Sequence, residues 1–261
     1  MSTQSLIACE SLALAVGAGA GRRDLVRDLA FAVRPGEVWC VLGPNGVGKT
    51  TLLHALAGLR AVQAGGVRLC GRPLVDWPLA ETARQRGFLP QIVHDAFAAS
   101  VLEVVMMGRY PFLSRWQWEG EGDREAALAA LAAVDLHGMA QRDVLTLSGG
   151  ERQRVALAAL LVQDAPLLIL DEPLTHLDLR HQVQVLRHLA ALAENQGKGV
   201  LMSLHDLNLA ARFCSHALVF SPTGVMQGPV DRVMTEPLLQ DAFGHRIVRV
   251  AAGGQTLFVA E

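Results

Sequence analysis

The run Gly43-Pro44-Asn45-Gly46-Val47-Gly48-Lys49-Thr50 limits what this chain can fold into more than any other segment. It reads G-x-x-x-x-G-K-[ST], a spacing whose glycines let consecutive backbone N–H groups curl around phosphate oxygens. Such a loop needs a strand before it and a helix after it. Both are present: Val38 to Leu42 is an unbroken apolar run, and Thr51 to Leu59 carries apolar residues at helical spacing. The positive end of that helix adds to the cradle. Lys49 is expected to reach the β and γ phosphates of a nucleoside triphosphate and the Thr50 hydroxyl to ligate Mg²⁺, with Thr51 completing the nucleotide-binding set. Without a ligand the segment would be a plain glycine-rich turn; its flanks argue against that.

A phosphate loop that holds Mg²⁺ needs a carboxylate at the end of a neighbouring strand. Leu167-Leu168-Ile169-Leu170-Asp171-Glu172 supplies one. Asp171 is placed to hold the metal through its water shell and Glu172 to polarise an attacking water. Around it strand and helix alternate: helix from Glu151 to Leu161, strand from Leu167 to Leu170, helix from Leu179 to Glu194, strand from Val200 to Leu204. That alternation predicts a parallel sheet with helices on its faces. Upstream, Leu29 to Val33 and Val67 to Leu69 read as short strands between turns, with one helix in the first ninety residues. Between Ile92 and Thr146 the character turns helical, including the Ala-rich Arg124 to Leu136. The tail from Ala217 reads as strands with a short helix at Pro237 to Phe243.

Leu147-Ser148-Gly149-Gly150-Glu151-Arg152-Gln153-Arg154 opens a helix 23 positions before Asp171. Ser-Gly-Gly at a helix N-terminus is a second anion cradle, besides being a good cap. One chain already has its own phosphate loop, so Ser148, Gly149 and Gly150 are expected to serve the nucleotide of another copy. Together, the glycine loop, the Ile169-Leu170-Asp171-Glu172-Pro173 strand end and this segment resemble the ATP-binding cassette (ABC) ATPases, from about Leu6 to Val248. The resemblance implies an α/β fold: a P-loop NTPase (RecA-like) core with a mostly parallel sheet, an N-terminal antiparallel β subdomain and an inserted α-helical subdomain. The ATPase core is expected at 1–91 and 147–261 and the inserted helices at 92–146.

The same resemblance assigns further positions. Gln91 matches the glutamine that contacts the metal and links core to helical lobe. Asp178 matches an aspartate lying across the dimer interface, and His205 a histidine that hydrogen-bonds the γ-phosphate. Of the nine histidines only His205 is expected to act chemically; His54, His94, His137, His176, His181, His188, His216 and His245 read as surface or interface residues. One position departs from the family. Its members stack adenine on an aromatic residue upstream of the phosphate loop, yet no aromatic precedes Phe31, and the equivalent place falls near Val16. The adenine must be held by the phosphate contacts alone, by a ring from the partner, or by Arg22 or Arg23 laid over the base.

The remaining sequence narrows the role. Net charge of −2 gives no reason to expect nucleic acid as partner. Mean hydropathy is high at +0.29, yet no apolar run reaches the roughly 18 residues of a membrane span, and no leader is legible at the N-terminus. Cys9, Cys40, Cys70 and Cys214 lack metal or disulfide spacing and suit a reducing compartment, with Cys40 a buried strand residue. The insert places Phe97, Tyr110, Phe112, Trp116 and Trp118 within 22 positions, a composition suited to docking, to the insert's own core, or to both.

Gly71-Arg72-Pro73-Leu74, Met107-Gly108-Arg109-Tyr110-Pro111, Thr175 to Gln182 and Phe243-Gly244-His245 are similar to importer cassettes for iron–siderophore complexes, haem and cobalamin. The implied protein is a head-to-tail homodimer at the cytoplasmic face of the inner membrane. It would drive a separate permease, served by a periplasmic or surface binding protein. A soluble ABC ATPase and an exporter cassette are the alternatives.

Overall fold

A strand covered on both faces has no reason to alternate apolar with polar residues. Val38–Leu42, Leu167–Leu170 and Gly199–Ser203 are such strands in the computed structural model, which describes residues 4–17, 21–93, 98–114 and 119–261. In chain order the first elements are β1 (Ile7–Val16), β2 (Arg23–Val33), β3 (Val38–Leu42), α1 (Lys49–Leu56), β4 (Ala64–Leu69), β5 (Arg72–Pro73), α2 (Leu79–Gln85) and β6 (Arg86–Leu89). Next come α3 (Val101–Met106), a 3-10 segment at Met107–Phe112, α4 (Glu121–Ala133) and α5 (Gly149–Val162). The chain continues with β7 (Leu167–Leu170), α6 (Leu179–Gln196), β8 (Gly199–Ser203), α7 (Leu207–Phe213), β9 (His216–Ser221) and β10 (Gly224–Pro229). It closes with α8 (Val230–Val233), α9 (Glu236–Phe243), β11 (Ile247–Ala252) and β12 (Gln255–Ala260).

The main sheet has the order β10-β9-β3-β8-β7-β6. Its strands from β9 to β6 run parallel, and β10 closes one edge antiparallel. A second sheet, β2-β1-β4-β5, is antiparallel throughout, and β11 and β12 form a two-stranded antiparallel sheet. Strand periodicity divides the main sheet between two cores. Trp39, Val41, Leu167 and Ile169 face α1 and the antiparallel sheet, packing with Leu52, Leu56, Ile7 and Leu12. Val38, Cys40, Leu42, Leu168 and Leu170 face the other way, with Leu131, Val155, Leu157 and Leu186 of the helical layer. Each leucine so buried stabilises the fold by about 1.5–3 kcal/mol. This two-sided burial holds the carboxyl ends of the parallel strands in fixed positions.

The α/β architecture is as expected, and the differences are local. β2 starts at Arg23 rather than Leu29, because its polar first half pairs with the end of β1. The helix α2 was not legible: it spans seven residues, and Leu79 at its start is 90% exposed, so no apolar face marks it. α4 lies three residues earlier than expected. Asp123 accepts the Gly120 N–H at its start, and beyond its end Asp135 turns left-handed with φ 59°. All four cysteines are free thiols, and Cys40 is buried within β3.

Candidate nucleotide-binding site

In an open parallel sheet, ligands bind in the crevice outside the carboxyl ends of the strands. Four segments leave that edge side by side: Gly43 onward after β3, Leu204-His205 after β8, Asp171-Glu172 after β7 and Pro90-Gln91 after β6. Between them lies a cleft of about 380 Å³ lined by Asn45, Gly46, Gly48, Lys49, Thr50, Thr51, Gln91, Glu172 and His205, with Val16 and Leu25 at one side. Residues as far apart as Asn45 and His205, 160 positions in sequence, are thus gathered by the strand order of the main sheet.

The loop backbone explains its glycines. Gly48 precedes α1 with φ 120°, and a Cβ there would lie 2.9 Å from Leu25 Cδ1. α1 has Gly48 at its N-cap, with no side chain to cap it, and no acidic residue in its first turn. Its leading N–H groups can therefore bind an anion. Lys49 is 5% exposed, and its ammonium donates to the carbonyls of Gly43 at 2.9 Å and Pro44 at 3.1 Å, so its charge is held within the loop. Burial pushes its pKa down, and the nearby carboxylates of Glu172 and Asp171 oppose that shift. Pro44 and Val47 instead line a second cleft of about 610 Å³ behind the loop, with Phe220 and Thr223.

Asp171 is fully buried. Its Oδ1 accepts the Ser203 hydroxyl at 2.7 Å, while its Oδ2 finds no hydrogen-bond partner among the described residues. An orphaned buried carboxylate oxygen is costly unless a cation or ordered water meets it. Glu172 has φ 48°, a strained backbone for a residue other than glycine. Its N–H donates to Ser203 Oγ at 2.7 Å, and its Oε1 lies 2.8 Å from His205 Nε2. Ser203 thus fastens both carboxylate residues. Its role was missed because a serine ending a strand carries no spacing signal.

The signature segment stands apart. None of Ser148, Gly149, Gly150 or Asp178 lines the cleft. Ser148 and Gly149 are exposed, and Gly150 packs so closely that a Cβ would lie 2.7 Å from the His176 carbonyl. Ser148 Oγ accepts the Glu151 N–H while its own N–H donates to the Glu151 carboxylate, which is held below its ordinary pKa by that bond. Asp178 caps α6 by accepting the His181 N–H at 2.9 Å.

Two histidines are more structural than expected. His216 stacks on Trp39 at 4.5 Å, and His188 is half-buried with its pKa lowered by burial. His94 and the aromatic residues Phe97, Trp116 and Trp118 lie outside the described residues. Val16 does face the cleft, joined by Leu25, which the sequence did not single out.

Residues 26–175 match the family model of the ABC transporters. The chain belongs to the ABC transporter family. As a member, the cassette is an ATPase with the P-loop NTPase fold. It is 46% identical over 231 residues to a hemin import ATP-binding protein of Pseudomonas entomophila, spanning 86% of this chain and 88% of that protein. An inward-facing structure of a metal-chelate type ABC transporter matches it with a TM-score of 0.84 at 28% identity, covering 98% of both chains. A dimeric bacterial ABC transporter cassette matches with a TM-score of 0.75 at 26% identity, covering 86% of this chain and 98% of that one. Among the described residues, no helix of the cassette is long and apolar enough to cross a membrane.

Proposed function

We propose that this cassette is the ATP-hydrolysing subunit of an importer for haem or an iron chelate such as a siderophore. The observation that carries the ATPase half is the convergence of Lys49, Thr50, Gln91, Glu172 and His205 on one cleft, beside the strand end that bears the orphaned Asp171 oxygen. The P-loop amides of Gly43 to Gly48 and the Lys49 ammonium hold the phosphates. Thr50, Gln91 and Asp171 would supply an oxygen-rich donor set suited to Mg²⁺; when bound, the ion neutralises phosphate charge. Glu172 orients and deprotonates the attacking water, and His205 fixes the Glu172 carboxylate and meets the γ-phosphate.

The exposed signature segment supports a head-to-tail dimer. Ser148, Gly149 and Gly150 of one copy would cover the nucleotide of the other, with Asp178 beside it. Residues 1–91 and 147–261 would act as the ATPase core, and 92–146 as an inserted helical lobe leading into the signature helix.

Docking on membrane permease subunits is supported by apolar side chains left in solvent on neighbouring segments. Val75 is 91% exposed, Leu79 90% and Tyr110 54%. The segments are joined where Arg84 of α2 donates to the Pro111 carbonyl at 2.7 Å. The cassette would sit on the cytoplasmic face of the membrane, its cargo delivered on the other side by a binding protein. The haem and iron-chelate assignment rests on the hemin import relative and the metal-chelate type neighbour.

The test is uptake in vesicles carrying the cassette with its permease and binding protein, loaded with ATP. Haem or a ferric siderophore is expected to enter, and Lys49→Ala to abolish entry. ATP hydrolysis without uptake of either, or uptake of cobalamin instead, contradicts the cargo assignment.

A further inference from the structure

We propose that His181 is a positioning residue. It fixes the Asp178 carboxylate and ties it to Asp135, the corner shared by the inserted helices and the signature helix. The inference rests on the reading of Asp178 as an interface residue.

An aspartate that caps a helix needs only the backbone bond. Asp178 has more: the same Oδ1 that accepts the His181 N–H also lies 2.8 Å from His181 Nδ1. This second bond fixes the ring plane and turns Nε2 toward Asp135 Oδ2, 3.9 Å away, at ion-pair reach. The imidazole is 20% exposed, although the Asp178 side chain it holds is 66% exposed. A half-buried ring thus anchors a carboxylate that stands in solvent.

Asp135 is a junction and not merely an acceptor. Its left-handed backbone, φ 59°, ends the run of α4 and projects two carbonyls toward α5. Arg154 on α5 donates to the carbonyls of Val134 at 3.2 Å and Asp135 at 3.0 Å. The Asp135 carboxylate is also approached by Arg180 Nη2 at 3.6 Å and His137 Nδ1 at 3.7 Å. One corner therefore touches the signature helix through its backbone and the start of α6 through its side chain. Ser148 begins α5, and Asp178 caps α6. A shift of the inserted helices would move both reference points of the interface together, with His181 as the only ring bridging the two carboxylates among the described residues.

The test compares steady-state ATP hydrolysis by the full chain, with its permease, in four variants. His181→Ala should lower kcat about 5- to 10-fold and change KM for ATP less than about twofold, since placement rather than binding is lost. His181→Asn, whose amide nitrogen falls near the position of Nδ1, should recover only part of the lost kcat, because Asp178 is held again while Asp135 stays unmet. In an Asp178→Ala background, His181→Ala should add no further loss, because its target is gone. A parental rate in Asp178→Ala overturns the interface reading itself. A slow Asp178→Ala beside a parental His181→Ala overturns the positioning role alone. Equal defects in His181→Ala and His181→Asn, with unchanged cooperative melting, also overturn it.

Discussion

His205 Nε2 lies 2.8 Å from Glu172 Oε1, joining the residue that follows β8 to the residue that follows β7. The contact is a product of register. β7 and β8 are parallel neighbours with Leu170 opposite Met202, so the two strands leave the sheet at the same level. The strained φ of 48° at Glu172 turns its side chain over the cleft, and the Ser203 hydroxyl secures that turn.

Glu172→Gln keeps the shape and removes the base. We predict nucleotide affinity within about threefold of the parent and a loss of hydrolysis of about 10²- to 10⁴-fold. Equilibrium titration and a phosphate-release assay read the two separately. Parental hydrolysis in Glu172→Gln would show that another group activates the water.

Ser203→Ala deletes the donor to Asp171 Oδ1 and the acceptor of the Glu172 N–H together. Both partners are left in a dry environment, so the stability of the cassette should fall by about 1–3 kcal/mol. Chemical denaturation measures this. Mg²⁺ with ATP should restore part of the loss, because Asp171 would help to hold the ion and be stabilised by its charge. An unchanged midpoint would mean that Ser203 fastens nothing.

Much of this site could be read in the sequence because it follows strand ends. Gly43 to Thr50, Asp171, Glu172 and His205 each stand just after an apolar run, and buried parallel strands write such runs without interruption. Residues that act across the layers were less legible. Ser203 and Leu25 lie within strands and match no spacing, so only the sheet order reveals what they touch. The helix α2 escaped for a similar reason: a short element with an exposed Leu79 has no apolar periodicity to detect. The long-range grouping of Asp178, His181 and Asp135 depends on how α4 and α6 pack, which local pattern does not encode.

If the nucleobase lies beside Val16 and Leu25, as we propose, it meets two aliphatic side chains and, among the described residues that line that side, no ring. Base–aromatic stacking contributes about 1–3 kcal/mol where it occurs. The isolated cassette should therefore bind ATP and GTP within about fivefold of each other, since Lys49 and the loop amides sense only phosphate. Val16→Tyr should tighten ATP binding. A strong preference for ATP in the parent, unchanged by Val16→Tyr, would place base recognition elsewhere, with Arg22 and Arg23 the first positions to replace.

Lys49→Ala removes the ammonium that the Gly43 and Pro44 carbonyls hold in the loop. Affinity for ATP should fall at least about tenfold, with much less effect on binding of adenosine, which lacks phosphates. Equal losses for both ligands would point to a collapsed loop instead of a lost charge.

The central claim is that two copies complete each nucleotide site, the signature of one covering the phosphates of the other. Sizing by light scattering at saturating ATP tests it most directly, using Glu172→Gln to prevent turnover. The expected result is a dimer holding two ATP, and a monomer still holding one ATP when Ser148→Arg is added to Glu172→Gln. A Glu172→Gln protein that stays monomeric with ATP bound, or a Ser148→Arg double variant that dimerises as readily, would contradict the account.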